Sequence, residues 1–404
     1  MSSHAPINRR SFLSTASATA LSLSVLPTQA ASDRKIKIGI IGCGGRGTWM
    51  AKLFKEHGQY DLYACSDYFQ DRVDACGNAV GIPESRRFTR LSGYKKLLEC
   101  GVDAVAIISP PYFHPQQAAE AVEAGLHTYV AKPIAVDVPG CKSIEQSGKR
   151  AAQKKRCFLV DFQTRADAYY MEAIKRVHDG ALGDFAFGES TYHANNPFSK
   201  HTKAMMDAPN NPELRLRGWG LSQVLSGDII TEQNIHTLDV MSWIMNRPPL
   251  SAVGTGARKI RPVGDCYDTF SCLFQYENNV GITFSSRQFN GHGTQPDGIR
   301  NRMFGSEGVL ETQYGGQVLL RGKHFYRGGK SPAIYKDGAV KNIADFYTGI
   351  TQGDYTNDTV APSVRSNLVT ILGRTAAYTQ KTVTWQELMN CTESLEYDFT
   401  GLKT

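Results

Sequence analysis

Nine cysteines are scattered through the 404 residues, and no two of them stand in a CxxC pair or at zinc-finger spacing. That absence removes the dithiol redox sites and thiolate metal sites such pairs build, and we expect no metal. The sequence has no HExxH helix to hold a zinc ion and no GxSxG turn to present a nucleophilic serine. FYRGGKS, Phe325 to Ser331, ends like a phosphate loop but lacks the glycine five residues before Gly329. Nowhere does an apolar run reach the roughly 18 to 20 residues that span a bilayer, so no membrane contact is expected of the mature chain. The net charge of +7 is diffuse, and its densest basic run, Lys149 to Arg156, carries no interleaved aromatics. That run reads as a solvated helix face rather than a nucleic-acid surface.

What is present starts with Arg9-Arg10, then Ser11-Phe12-Leu13, a mild apolar stretch from Thr15 to Leu26, and small residues around Thr28-Gln29-Ala30. Residues 1–32 resemble a twin-arginine (Tat) signal, which hands folded, cofactor-loaded proteins to the Tat export machinery. A periplasmic or otherwise exported location is the corresponding expectation. Cys43 and Cys65 read as small buried apolar residues, which a chain folded before export tolerates.

From Lys35 onward short apolar runs alternate with helical stretches, the mark of a doubly wound parallel sheet. Strands are expected at Ile36–Gly42, Asp61–Asp67, Ala104–Ser109, His127–Ala131 and Cys157–Phe162. Helices are expected at Arg46–His57, Gln70–Ala79, Ser92–Cys100, His114–Ala124 and Pro139–Gln153. Residues 33–162 are therefore assigned to an α/β Rossmann domain. Residues 163–404 read as an α+β domain with a large open, mainly antiparallel sheet. Within it, Ala168–Asp179 and Glu232–Asn246 are expected as amphipathic helices, alternating strands run from Leu250 to about Arg321, and helix returns from Ser363 to about Leu388.

GCGGRG, Gly42 to Gly47, fits G-x-G-x-x-G directly after a strand and at the start of a helix, with a second strand ending at Asp67. That context is what a dinucleotide fold needs. Gly42 permits the tight turn, Gly44 and Gly45 let backbone approach a pyrophosphate, and Gly47 lets helix meet strand; Arg46 lies in the same loop. Asp67 is placed to accept ribose hydroxyls and to repel a 2′-phosphate, so NAD is favoured over NADP, although Arg72 stands nearby. Ser109, Pro110 and His114 follow the next strand's carboxyl edge, where open α/β sheets hold ligands. Lys132 ends the following strand, where a cationic nicotinamide would disfavour its ammonium and suit it to proton exchange. On one helix, Glu232, His236 and Asp239 would share a face, so that a carboxylate fixes the histidine's tautomer.

In this order and spacing, the glycine loop, SPP…H, Lys132-Pro133 and the Glu232–His236 pair resemble the Gfo/Idh/MocA oxidoreductases, as do FGSEG at Phe304–Gly308 and the segment Leu372 to Trp385. The resemblance implies that Lys132, His236 and Glu232 are catalytic and that Arg165 touches substrate. Tyr192-His193, Asn195-Asn196 and Trp219, read as loop residues of sugar-binding type, join the candidate pocket. Two positions depart from the family pattern. Ala131 stands where the family's E-K-P motif has glutamate, and Glu232 where it usually has aspartate. The implied activity is NAD-dependent hydride transfer on a sugar, sugar derivative or polyol, and the export signal beside the glycine loop adds the expectation that the cofactor is tightly bound and recycled. A redox-neutral glycosidase using an oxidation, elimination, hydration and reduction cycle is the alternative, and a non-catalytic NAD-holding protein a third reading. Relatives cover the open sheet by pairing subunits, so a homodimer or tetramer is expected.

Overall fold

The computed structural model describes residues 34–291 and 298–404, and the export signal expected at 1–32 lies outside them. Six short strands form the first sheet, β1 (Ile36–Ile41), β2 (Tyr60–Asp67), β3 (Arg87–Thr89), β4 (Ala104–Ile107), β5 (His127–Ala131) and β6 (Phe158–Asp161), of which β3 was not expected from sequence. All pair in parallel in the order β3-β2-β1-β4-β5-β6, so the order reverses between β1 and β4. The crossovers are α1 (Gly45–His57), α2 (Gln70–Val80), α3 (Gly93–Glu99), α4 (His114–Glu123) and α5 (Val138–Gln153). Strands β4 and β6 are buried at every residue because helices cover both faces of the sheet. Cys43 and Cys65 are buried as expected, and with Cys76 they bring three sulfurs within 4.8 Å of one another.

The chain then forms α6 (Ala168–His178), β7 (Phe185–Ala194) and the short helices α7 (Thr202–Asp207), α8 (Pro212–Arg217), α9 (Gln223–Ser226) and α10 (Ile229–Glu232). After α11 (Ile235–Met245) come β8 (Ser251–Ala257), β9 (Thr269–Gln275), β10 (Gly281–Gln288), β11 (Ile299–Gly305), β12 (Gly308–Gln313), β13 (Gln317–Gly322) and β14 (Tyr326–Lys330). The chain closes with α12 (Ile334–Gln352), α13 (Val360–Thr379), β15 (Val383–Thr384) and α14 (Trp385–Met389). These strands make one nine-stranded sheet, β14-β13-β12-β11-β7-β10-β9-β8-β15. It is antiparallel except where β10 runs parallel to β7, so the expected fold class holds for both sheets.

Three expectations are corrected. Tyr192 and His193 lie on β7, a central strand, and not in a loop. The segment Glu232–Asn246 is two helices, because the Asn234 amide bonds to the Ile229 carbonyl, five residues back, and breaks the regular ladder. The second of them, α11, is buried at ten of its residues and is a core helix rather than an amphipathic one. The third is α12, which sequence periodicity did not reveal. It returns to the first sheet and packs Ala339, Ile343 and Phe346 beneath Tyr129 and Tyr60.

Candidate active site

The β1–α1 turn is as tight as its glycines allow. Gly42 has φ of 93°, and a Cβ on Gly47 would lie 1.7 Å from the Gly42 carbonyl oxygen. Gly45 has open space above it, with no atom within 4 Å of a built Cβ. Gly44 is the N-cap of helix α1, which therefore has no side-chain cap, and its first turn holds no acidic residue. Its first amides are thus left for an outside acceptor, which is the condition for binding a phosphate. Asp67 braces this turn by accepting from the Cys43 amide at 2.8 Å and the Phe69 amide at 3.0 Å. Burial raises the Asp67 pKa, against the pull of Arg72. Each carboxylate oxygen keeps a second lone pair for a ribose hydroxyl. The pocket beside Asp67 is lined by Ser109, Pro110, Phe113 and Leu216 among others. Arg72 and Ser109 also line a second cleft of about 430 Å³, which reaches Lys132 and His236. Turn, carboxylate and shared walls fit one extended dinucleotide.

At the far end of the groove, Lys132 leaves β5 and donates to the backbone carbonyl of Glu232 at 2.8 Å. The helix break makes this possible. In a continuous helix that carbonyl would accept from the His236 amide, which here turns to Gln233 instead. Burial pushes the Lys132 pKa down to about 8 against the opposing Glu232 carboxylate. Burial likewise raises the Glu232 carboxyl and holds His236 well below the usual imidazole range. The Glu232 Oε2 and His236 Nδ1 atoms are buried, and no protein atom among the described residues bonds to them. The expected Glu232–His236 hydrogen bond is therefore not formed. His236 stands between Tyr192, whose parallel ring is 6.5 Å away, and Tyr314, 5.0 Å away. Trp219 also lines this cleft and meets Phe198 edge to face.

Arg46 lines the cleft but is also ion-paired to the fully buried Asp161. Asp161 sits opposite Ala131 in the β5–β6 ladder, one strand over from the position where the family motif has its glutamate. The Arg46 guanidinium also lies 5.1 Å from the ring of Tyr335, which stacks on Trp49 at 4.8 Å. Tyr314 and Tyr335 complete the reactive end, and both were missed from sequence. Tyr314 falls in the stretch of alternating strands expected from Leu250 to about Arg321, but nothing local marked its side chain for the cleft.

Three candidate residues are placed elsewhere. The His114 ring nitrogens lie 2.8 Å from the Pro133 carbonyl oxygen and 2.7 Å from that of Ser109. This buried histidine ties the two strand-edge loops together rather than facing the cofactor groove. Arg165 is held by the buried Asp239 carboxylate at 2.8 Å and stacks over Trp243, outside the cleft. The same pairing takes Asp239 away from His236. His193 follows Tyr192 on a strand, so its side chain points to the opposite face. There its ring nitrogen meets the Ser285 hydroxyl at 3.0 Å.

Comparison with known proteins gives two adjoining matches. Residues 36–162 match an oxidoreductase family with an NAD-binding Rossmann fold, and residues 170–311 match the GFO/IDH/MocA C-terminal domain. Myo-inositol dehydrogenase Hyg17 of Streptomyces leeuwenhoekii is 24% identical over 281 residues, covering 68% of this chain and 75% of that protein. A glycosyl hydrolase family 109 protein of Shewanella pealeana is 27% identical over 212 residues, 46% of each chain. The solved structure of myo-inositol 2-dehydrogenase from Lactobacillus plantarum superposes with a TM-score of 0.67 at 20% identity, covering 87% of this chain and 99% of that one.

Proposed function

This chain belongs to the Gfo/Idh/MocA family of NAD-binding oxidoreductases, and from that premise we propose that it is an exported enzyme acting on a sugar, sugar derivative or polyol. In this reading its cofactor is NAD, carried out with the folded protein and recycled in place. The carrying observation is the meeting of Lys132, Glu232 and His236, with two unpartnered buried polar atoms, at the end of a groove that starts at the glycine turn. A bound nicotinamide supplies the hydride acceptor and donor. Lys132, poised at about 8, exchanges the proton of the reacting hydroxyl near neutral pH. The unpartnered His236 Nδ1 and Glu232 Oε2 orient the substrate or relay that proton. Tyr192, Tyr314 and Trp219 offer ring faces to a sugar's C–H surface.

A redox-neutral glycosidase is the second reading. It is favoured by the likeness to the Shewanella protein and by the difficulty of exchanging NAD outside the cytoplasm. There, oxidation of one hydroxyl acidifies the neighbouring C–H, whose proton a base removes before the glycosidic group leaves. The open face of the nine-stranded sheet, where Phe187 is 46% exposed and stacks on Phe304, supports a dimer or tetramer. The test is to purify the protein with any bound nucleotide and offer aryl glycosides without added NAD. Sustained release of the aryl group supports the glycosidase. Turnover that stops after one hydride unless a second sugar is supplied supports the oxidoreductase. Neither outcome, with nucleotide bound, overturns both.

A further inference from the structure

Two segments from outside the first sheet stand at the adenosine end of the groove, one lining it and one packed behind the first. Helix α8 is one of them, and its Leu216 lines the pocket beside Asp67 at 4% exposure. The next residue, Arg217, grips Asp71 with two bonds of 2.7 and 3.0 Å, and its guanidinium lies 3.8 Å from the Phe69 ring. Its carbonyl accepts from Arg72 at 3.5 Å. Tyr68 donates to Glu213 of the same helix at 2.9 Å.

The C-terminal tail is the other. The Lys403 amide bonds to the Tyr68 hydroxyl at 3.1 Å, and its carbonyl accepts from the Leu91 amide at 3.1 Å. Tyr397, 5% exposed, joins Phe69, Leu216 and Leu225 in a separate apolar cluster that Leu402 packs against. The Arg215 guanidinium lies 5.5 Å from its ring. The tail therefore holds α8 down, and α8 closes the pocket. Most anchors on the first sheet's side, Tyr68, Phe69, Asp71 and Arg72, lie just after the carboxylate at Asp67, and the Leu91 amide adds one more.

We propose that α8 and the C-terminal tail form a clasp over the adenosine half of the groove, which retains the dinucleotide between turnovers. The proposal rests on the retained-cofactor reading above and supplies its physical cause. Release requires Leu216 to lift, and Leu216 cannot lift while Arg217 and Tyr397 are fastened. Because the anchors adjoin the ribose site, coupling must be reciprocal: nucleotide tightens the tail as the tail holds nucleotide.

The full-length protein is loaded with NADH, freed of excess, and diluted into pyruvate with lactate dehydrogenase, so that loss of protein-bound NADH fluorescence reports release. Removing residues 396–404, or substituting Arg217→Ala or Tyr397→Ala, is expected to speed release by about tenfold or more, equivalent to about 1.4 kcal/mol each. Release within about twofold of the full-length rate by folded variants, as judged by circular dichroism, overturns the clasp. Should the truncation fail to fold, carboxypeptidase digestion of the full-length protein decides the matter. NAD is expected to slow removal of the tail, and equal digestion with and without NAD overturns the proposal. Rapid release from the full-length protein would instead overturn the retained-cofactor reading, which keeps the two failures apart.

Discussion

The two ends of the groove are assembled in opposite ways. Its adenosine end takes its turn, carboxylate and basic residue from one continuous stretch, Gly42 to Arg72. Its reactive end collects Lys132, Tyr192, Glu232, His236, Tyr314 and Tyr335 from both sheets and from three helices. A binding loop can be built locally because a few backbone amides and a tight turn suffice. Proton exchange needs groups with shifted pKa values, and those shifts come from burial that distant segments provide. Nucleotide binding and turnover should therefore fail separately.

Lys132→Met tests the reactive end and carries the largest expected effect. Turnover should fall by about 10²- to 10⁴-fold, while nucleotide titration by fluorescence stays near the parent value. In the parent protein, oxidation of a hydroxyl needs the neutral lysine, so its rate should rise as pH climbs through about 8, and the reverse reaction should fall over the same range. The variant should lack that inflection. A variant that kept the parent pH profile would assign the proton to another group.

Gly47→Ala tests the other end. The added methyl would sit 1.7 Å from the Gly42 carbonyl oxygen, so the turn must deform. We expect a loss of about 1 to 3 kcal/mol in stability and weakened nucleotide binding, read by denaturant melts and titration. Nucleotide binding at parental strength would show that the turn is not the phosphate cradle. The smallest effect is expected from His193→Ala, next to a cleft residue in sequence but on the far face of β7. Stability should move by no more than about 0.5 kcal/mol and turnover should hardly change. A large loss of activity would return His193 to the site.

Five of the six strands of the first sheet were readable from sequence because turn chemistry bounds them, while the edge strand β3, only Arg87–Thr89, carries no apolar alternation to mark it. His127–Ala131 was placed to the residue, and the β1–α1 turn carried its glycines in plain view. Strand β7 escaped because Gly188 and Glu189 interrupt its alternation; Gly188 is there because a side chain would collide with Met303. Helix α12 was hidden by Gly338 and Gly349, which look like breakers. A Cβ at Gly338 would lie 2.6 Å from that of Gln163, so this glycine serves close packing rather than ending the helix. At the site, Lys132, Glu232 and His236 converge as residue types in a pattern suggested, but their contacts do not follow the expected helix face. The break at Gln233–Asn234 is made by tertiary packing, and helical periodicity alone carries no trace of it. Arg165 was expected at the substrate from the resemblance alone, and nothing in its local sequence pointed to Asp239, the partner that holds it.

The return of α12 has a consequence for how this protein comes into being. All six strands of the parallel sheet have been synthesised once residue 161 is made, yet the outer edge of β6 is not sealed until Asn357 and Thr359 accept from the Phe158 and Val160 amides. One side of the sheet likewise lacks its filling until Phe346 arrives against Tyr129. A ribosome therefore releases most of the chain before the nucleotide-binding half can be finished, and that half cannot complete itself first while the remainder follows. The final packing of that half waits on α12 and on Asn357 and Thr359.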